Sequence, residues 1–121
     1  LFSTLHGSKI TSTEWFWKDN FEEEVFKSEK PVFVDFWGDK CKVCLRLMPG
    51  VNELSKKYSD KIKFASLNIS MSRRTAIAQR VLGLPTMIIY SGADKVSIIT
   101  PDKISSVDDV ENFIKEYYNT L

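Results

Sequence analysis

Residues 31–44 read PVFVDFWGDKCKVC, and this stretch decides the fold. Its first half is apolar without alternation, which predicts a strand buried within a sheet. From residue 41 to residue 58 apolar side chains recur at helical spacing, with Pro49 inside the predicted helix, where it should cause a kink. The two cysteines therefore lie where a buried strand passes into a helix. Open α/β folds carry their functional sites at such junctions.

The rest of the chain alternates between predicted strands and predicted helices. The patterns indicate strands at residues 14–18, 31–37, 61–69, 86–90 and 95–99, and helices at residues 20–27, 41–58, 72–82 and 106–118. Ser72 and Gly83 are the predicted start and stop signals of the third helix. This order predicts an α/β fold whose central sheet carries helices on both faces, and the final hairpin makes that sheet mixed. We expect residues 1–12 to be an N-terminal extension or a remnant of cloning, and residues 13–121 to be one domain.

The charge balance and the hydropathy pattern exclude two classes of protein. The 121 residues include 17 basic and 16 acidic side chains, so the net charge is +1. Nucleic-acid binding needs a clustered surplus of basic residues, which this composition does not offer. No apolar run approaches the roughly 20 residues that span a membrane. Because the chain begins at Leu1, we expect a processed or trimmed form.

Cys41 and Cys44 are the two cysteines of the chain, in a C-x-x-C pattern. A disulfide that closes so short a loop adds little stability, which favours a chemical role. Residues three apart on a first helical turn are neighbours, at a distance that suits a disulfide. Helix N–H groups would stabilise a Cys41 thiolate, and the more internal Cys44 suits resolution of a mixed disulfide. Half of a zinc site and an inert thiol pair remain as alternatives, although zinc needs four ligands and the one histidine, His6, is remote.

Charged residues around the cysteines have two interpretations each. Lys40 and Lys42 would lower the pKa of Cys41, unless they are simply solvated surface lysines. Asp35 lies within the apolar strand. If Asp35 is buried behind the cysteines, its pKa rises and it can exchange protons with Cys44. The alternative is an ordinary Asp at a solvent-facing strand end, with no raised pKa and no role in proton exchange.

Three further positions have a structural and a functional interpretation. Pro85 precedes a strand, and its peptide bond is either cis, as in tight positioned turns, or an ordinary trans bond. Trp37 is either a core residue or a wall of the site. Arg73 and Arg74 suit a solvated helix face, with an interaction role as the alternative.

Three segments together resemble the thioredoxin family: PVFVDFWGDKCKVC, the LMPGV that follows it, and GLPTMIIY. They stand in the order and approximate spacing of that family, and the resemblance covers about residues 14–119. It implies a thioredoxin-like fold and a protein-disulfide reductase that needs no bound cofactor, because the thiols carry the chemistry. It also implies disulfide-containing protein substrates and a thioredoxin reductase, linked to flavin or ferredoxin, as electron donor. We expect a monomer.

The resemblance assigns a role to most of the residues singled out above. It implies Cys41 as attacking cysteine, Cys44 as resolving cysteine and Asp35 as the buried acid behind them. It further implies a substrate-binding set in which Trp37 packs under the active-site loop, Pro85 is cis and faces the disulfide, and Leu84 presents its backbone to the substrate. Lys40, next to Cys41, completes the predicted substrate-binding set.

A narrower likeness connects the chain to thioredoxins of amino-acid-fermenting anaerobic bacteria. The segments that carry it are LRLMPGVNELSKKY and SRRTAIAQRVLGLPT. This likeness predicts a cytoplasmic location, with export after removal of an upstream signal as the alternative.

The chain departs from the family pattern around the cysteines. Lys42-Val43 replaces the usual Gly-Pro, Lys40 replaces the usual Trp, and Ser66 stands where a lysine commonly accompanies the buried acid. Two lysines and a restored N–H favour the thiolate, so we expect a more oxidising disulfide than in an ordinary thioredoxin. A disulfide oxidase or isomerase and a non-catalytic binding module therefore remain alternative functions.

Overall fold

The computed structural model describes residues 2–5 and 20–121. Within them lie five strands, three α-helices, one π-helical turn and two 3₁₀ turns. The strands are β1 (Phe2–Leu5), β2 (Val32–Trp37), β3 (Lys63–Asn68), β4 (Thr86–Ser91) and β5 (Asp94–Ile99). The helices are α1 (Lys42–Tyr58), α2 (Arg73–Ala78) and α3 (Val107–Tyr118), with the π-helical turn at Glu22–Phe26 and 3₁₀ turns at Ile69–Met71 and Pro101–Lys103.

The strands form one mixed sheet in the order β1-β3-β2-β4-β5. β3 runs parallel to both β1 and β2, whereas β4 runs antiparallel to β2 and to β5. The predicted hairpin is therefore confirmed, and its turn contains Gly92 at a φ of 63°, a left-handed conformation that glycine adopts without strain. β2 lies at the centre of the sheet and carries five consecutive buried residues, as its unbroken apolar run predicts.

Two hydrophobic layers cover the sheet, one on each face. On the first face, Phe33 and Phe64 pack with residues of α1 and α3 such as Val51 and Val110. On the second, Val34 packs with residues of the π-helical turn and of the segment after α2. Helices on both faces confirm the predicted thioredoxin-like α/β architecture.

The sequence predicts an extension in residues 1–12, but Phe2–Leu5 form the edge strand β1. Phe2 pairs with Phe64 and Leu5 with Leu67 in a parallel register, and Leu5 is buried. The free edge of β3 offers unpaired backbone groups, and pairing satisfies them. Four residues of mixed character show no clear period, which explains why the pattern did not reveal the strand. The strand predicted at residues 14–18 lies outside the described residues.

α2 is shorter than the predicted helix over residues 72–82. It ends at Ala78, and Arg80 adopts a left-handed conformation with a φ of 61°. The N–H of Arg80 donates to the carbonyl of Ile77, and the N–H of Val81 donates to that of Ala76. This is the Schellman pattern, which normally uses glycine at the left-handed position. The prediction that Gly83 stops the helix is therefore wrong, because Arg80 ends it three residues earlier.

α1 and α3 approach each other closely at Gly50. A Cβ added at Gly50 would lie 2.4 Å from Cγ2 of Val107, the first residue of α3. Gly50 follows Pro49 inside α1, where alanine would otherwise favour the helix by about 1 kcal/mol. The contact with α3 therefore explains a glycine in the middle of this helix.

We predict that Gly50→Ala lowers the free energy of unfolding by about 1–2 kcal/mol, because overpacking outweighs the gain in helix propensity. Urea unfolding of the oxidised protein measures this change. In a Val107→Ala background the two methyl contacts are removed and only a Cβ contact at 3.3 Å remains, so the same substitution should be less destabilising than in the parent, with a gain of at most about 1 kcal/mol. Equal effects in the two backgrounds would contradict the proposed contact.

Candidate active site

The cysteine pair lies at the start of α1, immediately beyond the carboxyl end of β2. Cys41 is the N-cap residue, with extended backbone angles (φ −86°, ψ 99°), and Cys44 lies in the first turn. The two form a disulfide with their Cα atoms 5.2 Å apart. The N–H of Cys44 donates to Sγ of Cys41 at 3.1 Å. A helix N-cap normally uses a Ser, Thr, Asp or Asn oxygen for this purpose, and here a sulfur accepts the bond.

The two sulfur-bearing residues differ in exposure. Cys41 is half-buried, whereas Cys44 is only 3% exposed. An incoming disulfide can therefore reach Cys41 more readily than Cys44. In the reduced state, the N–H that donates to Sγ of Cys41 would favour a thiolate at that sulfur, because charge-assisted hydrogen bonds stabilise anions.

A groove of about 630 Å³ lies beside Cys41. We call it the Cys41 groove, and its lining residues are Gly38, Asp39, Lys40, Cys41, Ile69, Ser70, Arg73 and Leu84. Of the predicted site residues, the structure thus brings Lys40, Cys41 and Leu84 together. Arg73, which the sequence predicts on a solvated helix face, also lines this groove.

Hydrogen bonds tie together the ends of β2 and β3 at this groove. Nδ2 of Asn68 donates to Oδ1 of Asp39 at 2.8 Å, and the N–H of Asp39 donates to Oγ of Ser70 at 3.3 Å. Gly38 is buried next to them, and a Cβ there would lie 3.0 Å from Cδ1 of Leu84. The absence of a side chain at Gly38 lets Leu84 approach the loop before the cysteines.

The peptide bond between Leu84 and Pro85 is cis, as the family resemblance implied. Pro85 is buried and directly precedes β4. Oγ1 of Thr86 donates to the carbonyl of Gly83 at 2.6 Å, which holds the turn around the cis bond. This turn positions Leu84 against the Cys41 groove.

Asp35 is buried in β2, at 4% exposure, rather than facing solvent. Its Oδ1 has no hydrogen-bond partner among the described residues. Burial raises the pKa of this carboxyl to about 7, because desolvation disfavours its charged form. Asp35 pairs with Ser66 in the register of β2 and β3, so a hydroxyl rather than an ammonium stands beside it.

A second groove, of about 490 Å³, leads to the buried carboxyl. We call it the Asp35 groove; it is lined by Thr4, Asp35, Trp37, Leu45, Met48, Pro49, Asn52 and Ser66. Trp37 is half-buried and belongs to this groove rather than to the Cys41 groove. The structure thus divides the predicted site residues between two grooves with separate sets of lining residues.

Sequence reasoning missed the contribution of Asp39, Ser70 and Arg73 to the Cys41 groove. A signal was available, because Ser70 and Arg73 follow β3 just as Asp39 follows β2. The carboxyl ends of parallel strands meet at the same edge of a sheet. Parallel pairing of β2 and β3 is itself a tertiary feature, so this signal can be interpreted only once the pairing is known.

The family model that matches this chain is thioredoxin, over residues 12–116. The chain belongs to the thioredoxin family. It is 39% identical to the thioredoxin of Acetoanaerobium sticklandii over 100 residues, which cover 83% of this chain and 94% of that protein. It is 47% identical to the thioredoxin of Peptoclostridium acidaminophilum over 85 residues, 70% of this chain and 77% of that protein. The thioredoxin of Synechocystis is 36% identical over 80 residues, which cover 66% of this chain and 75% of that protein.

This thioredoxin is a thiol–disulfide oxidoreductase that reduces protein disulfides by dithiol exchange through its Cys-Lys-Val-Cys pair. The predicted relationship to thioredoxins of anaerobic bacteria is confirmed by the two relatives named first. No helix in the described part of the chain is long and apolar enough to cross a membrane.

The buried Asp35 makes stability depend on pH. The unfolded carboxyl ionises near pH 4, whereas the folded carboxyl ionises near pH 7. Between these values the folded state holds a proton that the unfolded state has lost, so the free energy of unfolding falls as pH rises from about 4 to 7. The full difference amounts to roughly 4 kcal/mol, at about 1.4 kcal/mol per pH unit.

We predict that Asp35→Asn removes most of this dependence. The variant should be more stable than the parent at pH 8, by up to roughly 4 kcal/mol, and should show a much smaller gain at pH 4. Urea unfolding of both oxidised proteins across this pH range measures the effect. Parallel stability profiles for the parent and Asp35→Asn would contradict a raised pKa at Asp35.

Proposed function

We propose that Cys41 is the attacking cysteine and Cys44 the resolving cysteine in the reduction of protein disulfides. The observation that carries this assignment is the asymmetry of the pair: Cys41 is half-exposed and its Sγ accepts the N–H of Cys44, whereas Cys44 is 3% exposed. The exposed thiolate meets the substrate first, and the buried thiol acts only on what is already attached to Cys41.

The reaction then runs in two exchanges. The Cys41 thiolate attacks one sulfur of the substrate disulfide; that disulfide breaks, and the departing sulfur leaves as a thiolate and takes up a proton. The Cys44 thiol loses its proton and attacks Sγ of Cys41, which releases the second substrate sulfur as a thiolate that takes up a proton. The substrate gains two electrons and two protons, and the Cys41–Cys44 disulfide forms.

We assign to Asp35 the proton that leaves Cys44. A carboxyl with a pKa of about 7 is partly ionised at neutral pH, so it can both accept and return a proton. The Asp35 groove supports this role because the carboxyl lines it, together with the polar residues Ser66 and Thr4. The unpartnered Oδ1 supports it too, since no described group competes for that oxygen.

The substrate, in this proposal, binds across the Cys41 groove. Leu84 and Lys40 line that groove, and Leu84 directly precedes Pro85 at the turn before β4. Trp37 supports the active-site loop from the other side, where it lines the Asp35 groove. The backbone of Leu84 offers hydrogen-bonding groups that an extended peptide uses without regard to its sequence.

Thioredoxins act on disulfide substrates and are reduced by thioredoxin reductase. For this chain we propose a flavin- or ferredoxin-linked reductase as the donor that restores the dithiol. We further propose that it works as a monomer in the cytoplasm, where a reducing environment keeps such pairs in turnover.

Separate cysteine variants test the order of attack. We predict that Cys41→Ser abolishes reduction of insulin, whereas Cys44→Ser forms a mixed disulfide with its substrate that persists because nothing resolves it. Insulin precipitation measures the activity, and mass spectrometry of the trapped adduct identifies the cysteine that carries the substrate. An adduct on Cys44 in the Cys41→Ser variant, at a rate equal to that on Cys41, would refute the assignment.

The reduction potential tests the direction of electron flow. Lys40, Lys42 and the N–H of Val43 all favour the thiolate, so we predict a potential above the roughly −270 mV of thioredoxin. Equilibration with a glutathione or dithiothreitol couple measures it. Val43→Pro removes one N–H at the helix start and should lower the potential, whereas a parent value clearly below −270 mV would show that these groups do not control it.

A further inference from the structure

Two cations line the Cys41 groove. Lys40 comes from the loop after β2, and Arg73 is the first residue of α2, which follows β3. Both side chains are exposed and both line the groove that contains Cys41. A peptide that delivers its disulfide to Cys41 along this groove must therefore pass these two charges.

Neither cation is neutralised within the part of the chain that the structure describes. The side chains of Lys40 and Arg73 form no ion pair or hydrogen bond with another described residue, whereas Lys57 is paired with Glu111 at 2.8 Å and Lys63 with Glu24 at 3.1 Å. Free cations at a surface groove attract anionic groups and repel cationic ones.

One acidic residue, Asp39, also lines the Cys41 groove. Its Oδ1 already accepts the hydrogen bond from Nδ2 of Asn68 at 2.8 Å, which holds the carboxylate towards β3. The lining residues thus carry two positive charges against one negative charge. Lys42, which follows Cys41 and is exposed, adds a further positive charge next to the site.

We propose that the Cys41 groove selects protein substrates that carry Asp or Glu beside the reactive disulfide. Arg73 offers a planar fork of donors that binds a carboxylate through two hydrogen bonds, and Lys40 contributes a second positive charge in the same groove. This specificity rests on the reductase function proposed above and adds to it the chemistry of the preferred partner. In this proposal Arg73 acts on substrate recognition alone, whereas Lys40 acts on recognition in addition to favouring the Cys41 thiolate.

Three matched peptides test the proposal. Each contains one internal disulfide, and the residues next to the target cysteine are Glu, Gln or Lys. Flanking charges also change the pKa of the leaving thiol, so each rate is divided by the rate at which dithiothreitol reduces the same peptide, and the ratios compared below are these normalised rates. The parent protein is reduced, freed of reductant and mixed with each peptide, and the free thiols of the peptide give a second-order rate constant without any reductase.

We expect the Glu peptide to react at least about fivefold faster than the Lys peptide at an ionic strength of about 0.01 M. The ratio should approach one at about 1 M salt, where the Debye length falls to about 3 Å. A Glu-to-Lys ratio near one at low salt would overturn the proposal.

Adjacent arginines provide a matched control. Arg74 follows Arg73 in α2, but it lines a different cavity, with Phe21, Glu22, Phe26, Thr75, Ala78 and Gln79. Arg73→Glu should abolish or reverse the preference for the Glu peptide, whereas Arg74→Glu, with the same change in net charge, should keep most of it. Equal losses in the two variants would show that net charge rather than the groove sets the preference, which would overturn the assignment to Arg73.

Lys40→Glu tests the second cation. This substitution also alters the environment of Cys41, but that effect applies to all three peptides and cancels in the Glu-to-Lys ratio. We expect the ratio to fall; an unchanged ratio would remove Lys40 from the proposal.

The Gln peptide, which has no flanking charge, shows whether the protein reduces peptide disulfides at all. If the parent reduces none of the three peptides, the reductase function itself fails, and if it reduces all three equally, only the charge selection fails.

Discussion

The hydrogen bonding of β2 between β3 and β4 is the constraint on which the site depends. β3 runs parallel to β2, so the chain that follows each of these strands emerges at the same edge. β4 is antiparallel to β2, so the chain that precedes β4 arrives at that edge as well. This single arrangement brings together three separate segments: the loop with Cys41, the segment with Arg73, and the cis turn at Leu84–Pro85. No local contact could assemble them, because they come from residues 38–44, 69–73 and 83–86.

The central strand also contains a buried carboxyl that destabilises the fold. β2 buries Val32, Phe33, Val34 and Phe36 almost completely, and Asp35 lies among them with one oxygen, Oδ1, that accepts no hydrogen bond from any described residue. An apolar residue at this position would stabilise the fold, because burial of an unpaired carboxyl is unfavourable. Natural proteins keep such locally unfavourable residues chiefly at functional sites. Burial raises the pKa of Asp35 and so destabilises the fold at neutral pH. The same raised pKa, together with its position beside a groove, suits Asp35 to proton transfer.

Much of the fold could be predicted because its strongest signals are local. The apolar run of β2, the helical spacing of α1 and α3, and the hairpin after Pro85 all appear in the structure near their predicted places. The failures have physical reasons that are not local. Phe2–Leu5 become a strand only because the edge of β3 is free to pair with them. α2 ends at Ala78 because Arg80 takes the left-handed position that the pattern reserves for a glycine.

The sequence by itself determined the chemistry of this thioredoxin: a C-x-x-C pair at a strand–helix junction, with a carboxyl in the preceding strand. These features follow from residue identity and spacing along one continuous segment. Only the tertiary structure decided which side chains surround the pair. It separated Trp37 and Asp35 from Lys40 and Leu84 by placing them in two grooves, and it brought Arg73 into the same groove as Lys40. The reason is that strand pairing, not sequence distance, determines which loops meet at one edge of a sheet.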